Sequence, residues 1–381
     1  MNFDFDTVVD RCASDSRKWN AYPAGVLPLW VADMDFPAPP AVIAALHRRV
    51  EHGVFGYGMH PAGAIEAVVA HCAQRYGWKI EPEWIVWLPG LVTGLNVAAA
   101  AFGEDGDEVL CCTPVYPPFL AAPKHQRRRT VAVPLAQRGN RWEFDFAALE
   151  KAVTPRTRQF FLCHPHNPVG RTFTRAELEP LAAFCEKHNL IVTSDEIHCD
   201  LILDPVPHLP FASLSPALAA RTVTLMAPSK TYNVPGLGCS FAIVSDPVLR
   251  KRFEPARGSI VPDVNVLGFA ACEAAFREGE PWRQQLLAYL RGNRDYVQNF
   301  VARELPGVTT THVEATYLSW LDVSALKLED PAGFFLQHGV ALSDGTPFGV
   351  PKGSFVRLNF GCPRATLVEA LARLQRALAA R

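Results

Sequence analysis

In the stretch TVTLMAPSKTYNVPGLG, Thr222 to Gly238, an apolar, β-branched run gives way to a turn of Pro, Ser and Gly with Lys230 at its corner. A lysine just past a buried strand is most often a solvated surface charge, but its amine serves as a nucleophile or base where neighbours tune it. Other apolar runs also end on polar residues. EWIVWLP leads into GLVTGLN, Gly90 to Asn96, a glycine-bracketed turn opening a helix whose free N–H groups and positive dipole end suit a phosphate. That turn is neither a dinucleotide fingerprint nor a Walker P-loop, so alone it reads equally as a plain tight turn. DEVLCCTP leads to Tyr116, TRQFFLCHP to Asn167, LIVTS to Asp195 and Glu196, and TLMA to Ser229 and Lys230. A carboxylate closing a buried strand is costly unless it is paired, so Asp195 demands a cationic partner.

Groups this far apart in sequence need a frame that gathers strand ends. Seven short apolar runs (EWIVWLP, DEVLCCTP, RTVAVPL, TRQFFLCHP, LIVTSDE, RTVTLMAP and CSFAIVS) are separated by longer stretches, among them TRAELEPLAAFCEKHN, Thr174 to Asn189, with helical spacing. The alternation predicts an α/β fold. Nearly continuous apolar runs are what strands buried on both faces need, so the centre is expected to be a mainly parallel sheet covered by helices. Ligands of such sheets gather at the carboxyl ends of the strands, where the polar residues above stand. After about Pro262 the pattern changes to long helices and then to β-like TYLSWLDV and SFVRLNFG, a second, α+β domain. The closing ATLVEALARLQRALAAR places Leu367, Leu371, Leu374 and Leu378 on one face, as a helix covering that sheet requires.

Composition narrows the partners. The chain has 381 residues, 49% hydrophobic and 20% charged, enough for two domains or one large one. Lys plus Arg number 37 against 38 Asp plus Glu, so no overall field selects nucleic acid or an anionic membrane, and a small-molecule substrate is expected. The acidic start and the lack of a long uninterrupted apolar run lead us to expect neither a signal peptide nor a membrane span, and hence a cytoplasmic protein. Ten scattered Cys read as reduced core thiols. Cys163, His164, His166, His198 and Cys199 fall near neighbouring strand ends, but their spacing matches no structural zinc pattern and no metal is expected. The basic run KHQRRR, Lys124 to Arg129, reads as a solvated loop edge.

One cofactor uses all the polar strand ends together. Pyridoxal 5′-phosphate needs a lysine for its Schiff base, an acid to keep its ring nitrogen protonated, a phosphate cradle, donors to its phenolic oxygen and an aromatic face to stack on. On HNPVG, SDEIH and APSKTYNVPGL the chain resembles, over essentially its whole length, the fold-type I pyridoxal-phosphate enzymes of the class I and II aminotransferase group. KWN (Lys18 to Asn20), LPLWVADMDFPAPP (Leu27 to Pro40), HGVFGYG (His52 to Gly58), TPVYPPF and FVRLNFGCPR (Phe355 to Arg364) carry a closer resemblance to the cystathionine β-lyase (C–S lyase) branch of MalY/PatB type.

The resemblance implies a large domain with a seven-stranded, mainly parallel sheet and a smaller α+β domain. The expected division is an N-terminal segment, 1–38, packing with the small domain, a cofactor-binding domain, 39–262, and the small domain, 263–381. It makes Lys230 the Schiff-base lysine, sets Asp195 at the ring nitrogen and Tyr116 on the ring, and counts all three as catalytic. Val92, Thr93 and Ser229 would contact the phosphate, and Tyr57 the phosphate of the partner subunit in a homodimer with shared sites. Asn167 and His198 would lie near the phenolic oxygen. Arg357 would hold the substrate α-carboxylate with help from backbone near Val31 and Ala32, and the matched motifs contain no second arginine for a side-chain carboxylate. Many aminotransferases carry a serine three residues before the lysine and an arginine eight after it; here those places are Ala227 and Gly238. The activity implied is α,β-elimination from cystathionine or related S-substituted cysteines. Transamination by the same cofactor, and a regulatory protein retaining the fold, are the alternatives that residue spacing leaves open.

Overall fold

The computed structural model describes residues 2–381. All seven apolar runs form strands of one sheet: β1 (Ile85–Leu88), β2 (Glu108–Thr113), β3 (Arg129–Pro134), β4 (Thr157–Cys163), β5 (Ile191–Asp195), β6 (Thr222–Met226) and β7 (Ser240–Ile243). Their spatial order is β1-β7-β6-β5-β4-β2-β3. β7 runs antiparallel to β6 and β1, and the remaining pairs are parallel. Every residue of β2, β6 and β7 is buried, as continuous apolar runs require, whereas the edge strand β3 exposes Arg129 and Ala132. Chain order along the sheet reverses between β2 and β4, and such reversals open a crevice at the strands' carboxyl ends.

The helical spacing of Thr174 to Asn189 yields a helix over Arg175–Lys187, begun by a capping box between Thr174 and Glu177. Its face of Leu178, Leu181, Phe184 and Cys185 is buried against the sheet.

Beyond residue 262 a helix over Val266–Glu278 places Phe269 and Cys272 with Trp87 and Phe241 of the large sheet, and Ala271, Ala274 and Ala275 in the second core. A 25-residue helix, Glu280–Glu304, then leads into a four-stranded antiparallel sheet. Its strands are β8 (Thr309–Thr310), β9 (Leu318–Asp322), β10 (Ser343–Asp344) and β11 (Phe355–Asn359), in the order β8-β9-β11-β10. The closing helix Arg364–Ala379 buries Leu367, Leu371 and Leu374 and half-buries Leu378 in this core. Among the described residues no helix is long and apolar enough to cross a membrane.

Residues 27–36 form a strap that binds both cores. Leu27–Pro28 pairs in parallel with Val340–Ala341, and Leu29, Met34 and Phe36 enter the second core. From the large-domain side, Asn233 accepts from Met34 N at 2.9 Å and donates to Met34 O at 2.9 Å and to Phe36 O at 2.7 Å. Buried Lys18 pairs with Asp35 at 2.8 Å and donates to Asp33 O at 3.0 Å.

Candidate active site

A cavity of about 240 Å³ lies at the carboxyl ends of the large sheet. Ten of the twelve residues singled out from sequence line it; Thr93 and Tyr57 do not. The loops after β1, β2, β4, β5 and β6 bring Val92, Tyr116, Asn167, Asp195, His198, Ser229 and Lys230, β11 brings Arg357, and the strap brings Val31 and Ala32.

At the β1 end, Gly90 precedes the helix Leu91–Ala101 without a side-chain cap, and the first intrahelical N–H bond is Gly94 N to Gly90 O at 3.2 Å. The N–H groups of Leu91, Val92 and Thr93 are therefore open donors at the positive end of the helix dipole. Thr93 stands in this first turn half-buried, its side chain off the cavity wall. Gly238 lies beside this turn with φ of +58°; a Cβ there would come within 3.3 Å of Pro89 O. Tyr57 is fully exposed, in a stretch without regular structure.

Asp195 closes β5 and accepts from Ile197 N at 3.1 Å. Burial pushes its carboxyl up to about 7, with Glu196 adding to the shift. Among the described residues it has no ion pair within contact distance, and the Lys230 ammonium offsets only part of the upward shift. Lys230 follows β6 and donates to Ala32 O of the strap. Burial, with nearby Arg357, lowers its ammonium to about 8. Burial, Lys230 and Arg357 together hold His198 at about 3, so its ring is neutral near pH 7, and its Nδ1 has no partner.

Arg357 is buried on β11 without an acidic partner. It donates to Asn167 Oδ1 at 3.0 Å and to Trp30 O at 2.9 Å, lies over the Phe348 ring at 4.9 Å, and leaves Nε unpartnered. A guanidinium so placed is a receptor for a carboxylate. Tyr116, at the reversal point of the sheet, donates its backbone N–H to Asn167 O at 3.1 Å.

Pyridoxal phosphate fits these residues. Its protonated ring nitrogen is the cation Asp195 lacks, its phosphate the anion that the open N–H groups of residues 91–93 lack, and its phenolic oxygen a partner for the orphaned His198 ring.

Sequence reasoning missed the groups that hold this wall in place. Trp30 O anchors Arg357 and Ser343 Oγ, while Tyr317 Oη donates to Ala32 O at 2.9 Å. Asn359 Nδ2 spans Val31 O at 2.7 Å and Asp33 O at 2.8 Å. Most of these contacts end on main-chain carbonyls, which carry no signature in residue type. His164 and His166 face backbone carbonyls, Leu209 O at 3.2 Å and Pro114 O at 2.8 Å.

The family model "Aminotransferase class I and II" matches residues 24–374. The chain belongs to that family. Like its relatives it is a pyridoxal-phosphate-dependent enzyme of fold type I. Cystathionine beta-lyase PatB of Bacillus subtilis (strain 168) is 40% identical over 384 residues, covering 98% of this chain and 99% of its own. Among solved structures, OvoB is 48% identical with a TM-score of 0.97 and complete coverage of both chains. Cystalysin from Treponema denticola, which contains a pyridoxal 5′-phosphate cofactor, is 33% identical with a TM-score of 0.96, again with complete coverage of both chains.

Proposed function

We propose that the protein is a carbon–sulfur β-lyase that converts L-cystathionine or a related S-substituted cysteine, with water, to a thiol, pyruvate and ammonia. The observation that carries amino-acid chemistry at Cα is the pairing, on one cavity, of the acid-free Arg357 guanidinium with the amine of Lys230. The choice of Cβ–S cleavage draws its support from the full-length likeness to cystathionine β-lyase PatB.

Bound pyridoxal phosphate supplies the electron sink for the pair left at Cα. Arg357 takes the α-carboxylate in a forked pair and so fixes the Cα–H bond relative to Lys230. The Lys230 amine, with a basicity brought near neutral by burial, removes that proton. Asp195 would keep a proton on the ring nitrogen, Tyr116 would cover the ring, and Asn167 and His198 would serve the phenolic oxygen. Val92, Thr93 and Ser229 would bind phosphate through the helix end and a hydroxyl, and backbone near Val31 and Ala32 would help Arg357 with the α-carboxylate.

The assembly proposed is a homodimer in which Tyr57 reaches the phosphate of the partner subunit. Its support is the exposed apolar run Val54, Phe55, Tyr57 and Met59. The compartment proposed is the cytoplasm; its support is ten free cysteines, nine of them buried.

Purified protein given L-cystathionine and no keto acid is expected to release pyruvate and free thiol in equal amounts. Rapid transamination of aspartate or glutamate with no pyruvate from cystathionine would replace the lyase by an aminotransferase.

A further inference from the structure

A second cavity, of about 730 Å³, opens from the first and shares Val31, Tyr116 and Arg357 with it. Its walls include Tyr22, Trp30 and Phe348, flat apolar surfaces suited to a thioether chain. At its rim Arg17 lies 5.8 Å over the Trp30 ring and is exposed. Among the described residues Arg17 has no carboxylate partner. It stands one residue ahead of the Lys-Trp-Asn motif and is the second arginine that the matched motifs lacked. Two acids share the rim. Asp330 is occupied in capping the helix Pro331–Gln337, and Asp344 accepts from Thr346 N and Oγ1, both at 3.2 Å.

A group with both signs suits this rim better than a bare anion or a plain alkyl chain. We propose that Arg17 receives the carboxylate, and Asp344 the ammonium, of an amino acid carried on the far side of the substrate sulfur. Arg17 and Asp344 then set how strongly such a substrate is preferred over an S-alkylcysteine that lacks the distal charges. This rests on the lyase reading above: Arg357 fixes the α-carboxylate in the inner cavity, so whatever sulfur carries runs outward past Tyr116 toward Arg17.

The test compares L-cystathionine with S-propyl-L-cysteine, which has similar methylenes and no distal charge, as substrates of the holoenzyme and its Arg17→Ala and Arg17→Lys variants. A charge-assisted pair at a half-open rim should make the ratio of the two kcat/KM values fall about tenfold in Arg17→Ala, mainly through KM for cystathionine. Arg17→Lys should recover part of that ratio. The inhibition constant of diaminosuberate, the carbon isostere of cystathionine, should rise by a similar factor without any turnover. An unchanged ratio, or an unchanged inhibition constant, overturns the proposal while leaving the lyase intact. A wild-type enzyme that cleaves S-propylcysteine but not cystathionine does the same, and release of pyruvate from neither removes the lyase reading itself.

Discussion

Asp195 shows at the scale of one residue how a site can be built incomplete. Its carboxyl is held near 7 by burial, against about 4 in an unfolded chain. A raised carboxylate gives its full stabilisation below the unfolded value and loses it as pH climbs to the folded one, so above pH 7 the cofactor-free protein bears a cost of about 4 kcal/mol. A cation at the ring nitrogen relieves that cost. The melting-temperature gap between holo- and apoprotein should therefore widen from pH 5 to pH 8, because Glu196, His164, His166 and His208, which have no assigned cofactor contact, are common to both forms and cancel. Asp195→Asn should make the gap nearly independent of pH and lower turnover about 100-fold or more. A variant with near wild-type turnover would contradict the role assigned to Asp195. This residue was legible in the sequence because a carboxylate ending an apolar run is conspicuous. Arg17 was not, since an exposed arginine in a polar N-terminal stretch resembles any solvated charge until the fold sets it over Trp30.

Among the elements, the strands were the most legible part of the fold. Apolar runs bounded by Pro, Gly and acids leave little freedom in where a buried strand begins and ends, and all seven large-sheet strands fall inside the runs read from sequence. The strap was quoted as a motif, yet its task was hidden, because its contacts use the carbonyls of Trp30, Val31, Ala32 and Asp33 rather than side chains. The corner joining the loop after β6 to the helix Leu91–Ala101 is a similar case. Gly238 occupies the place of the arginine found in many aminotransferases, and its left-handed φ together with the nearness of Pro89 O exclude a relaxed side chain. Gly238→Ala is expected to destabilise the apoprotein by about 1–2 kcal/mol, read from the urea midpoint, and to weaken cofactor retention by shifting the adjacent helix end. A midpoint equal to wild type would show that the turn relaxes freely.

For the whole molecule, the exposed Tyr57 and its apolar neighbours predict that the active species is a dimer. Tyr57→Phe and Lys230→Ala, each inactive alone, should regain about a quarter of wild-type activity when mixed and reassembled, because one site of each hybrid receives both native residues and hybrids form half of a random mixture. A fully active species sedimenting as a monomer would rule this out. The strap has a consequence for synthesis as well. Trp30 and its hydrogen-bond partner Arg357 are 327 positions apart. At roughly 5–20 residues per second of translation, the strap leaves the ribosome on the order of 15–65 s before the arginine it must hold. Through that interval the strap's apolar side chains Leu29, Met34 and Phe36 have no finished core to enter, and Lys230 is already present in a chain that cannot yet bind an amino acid. A nascent chain stalled before β11 thus leaves those apolar side chains uncovered, the condition under which a chain aggregates.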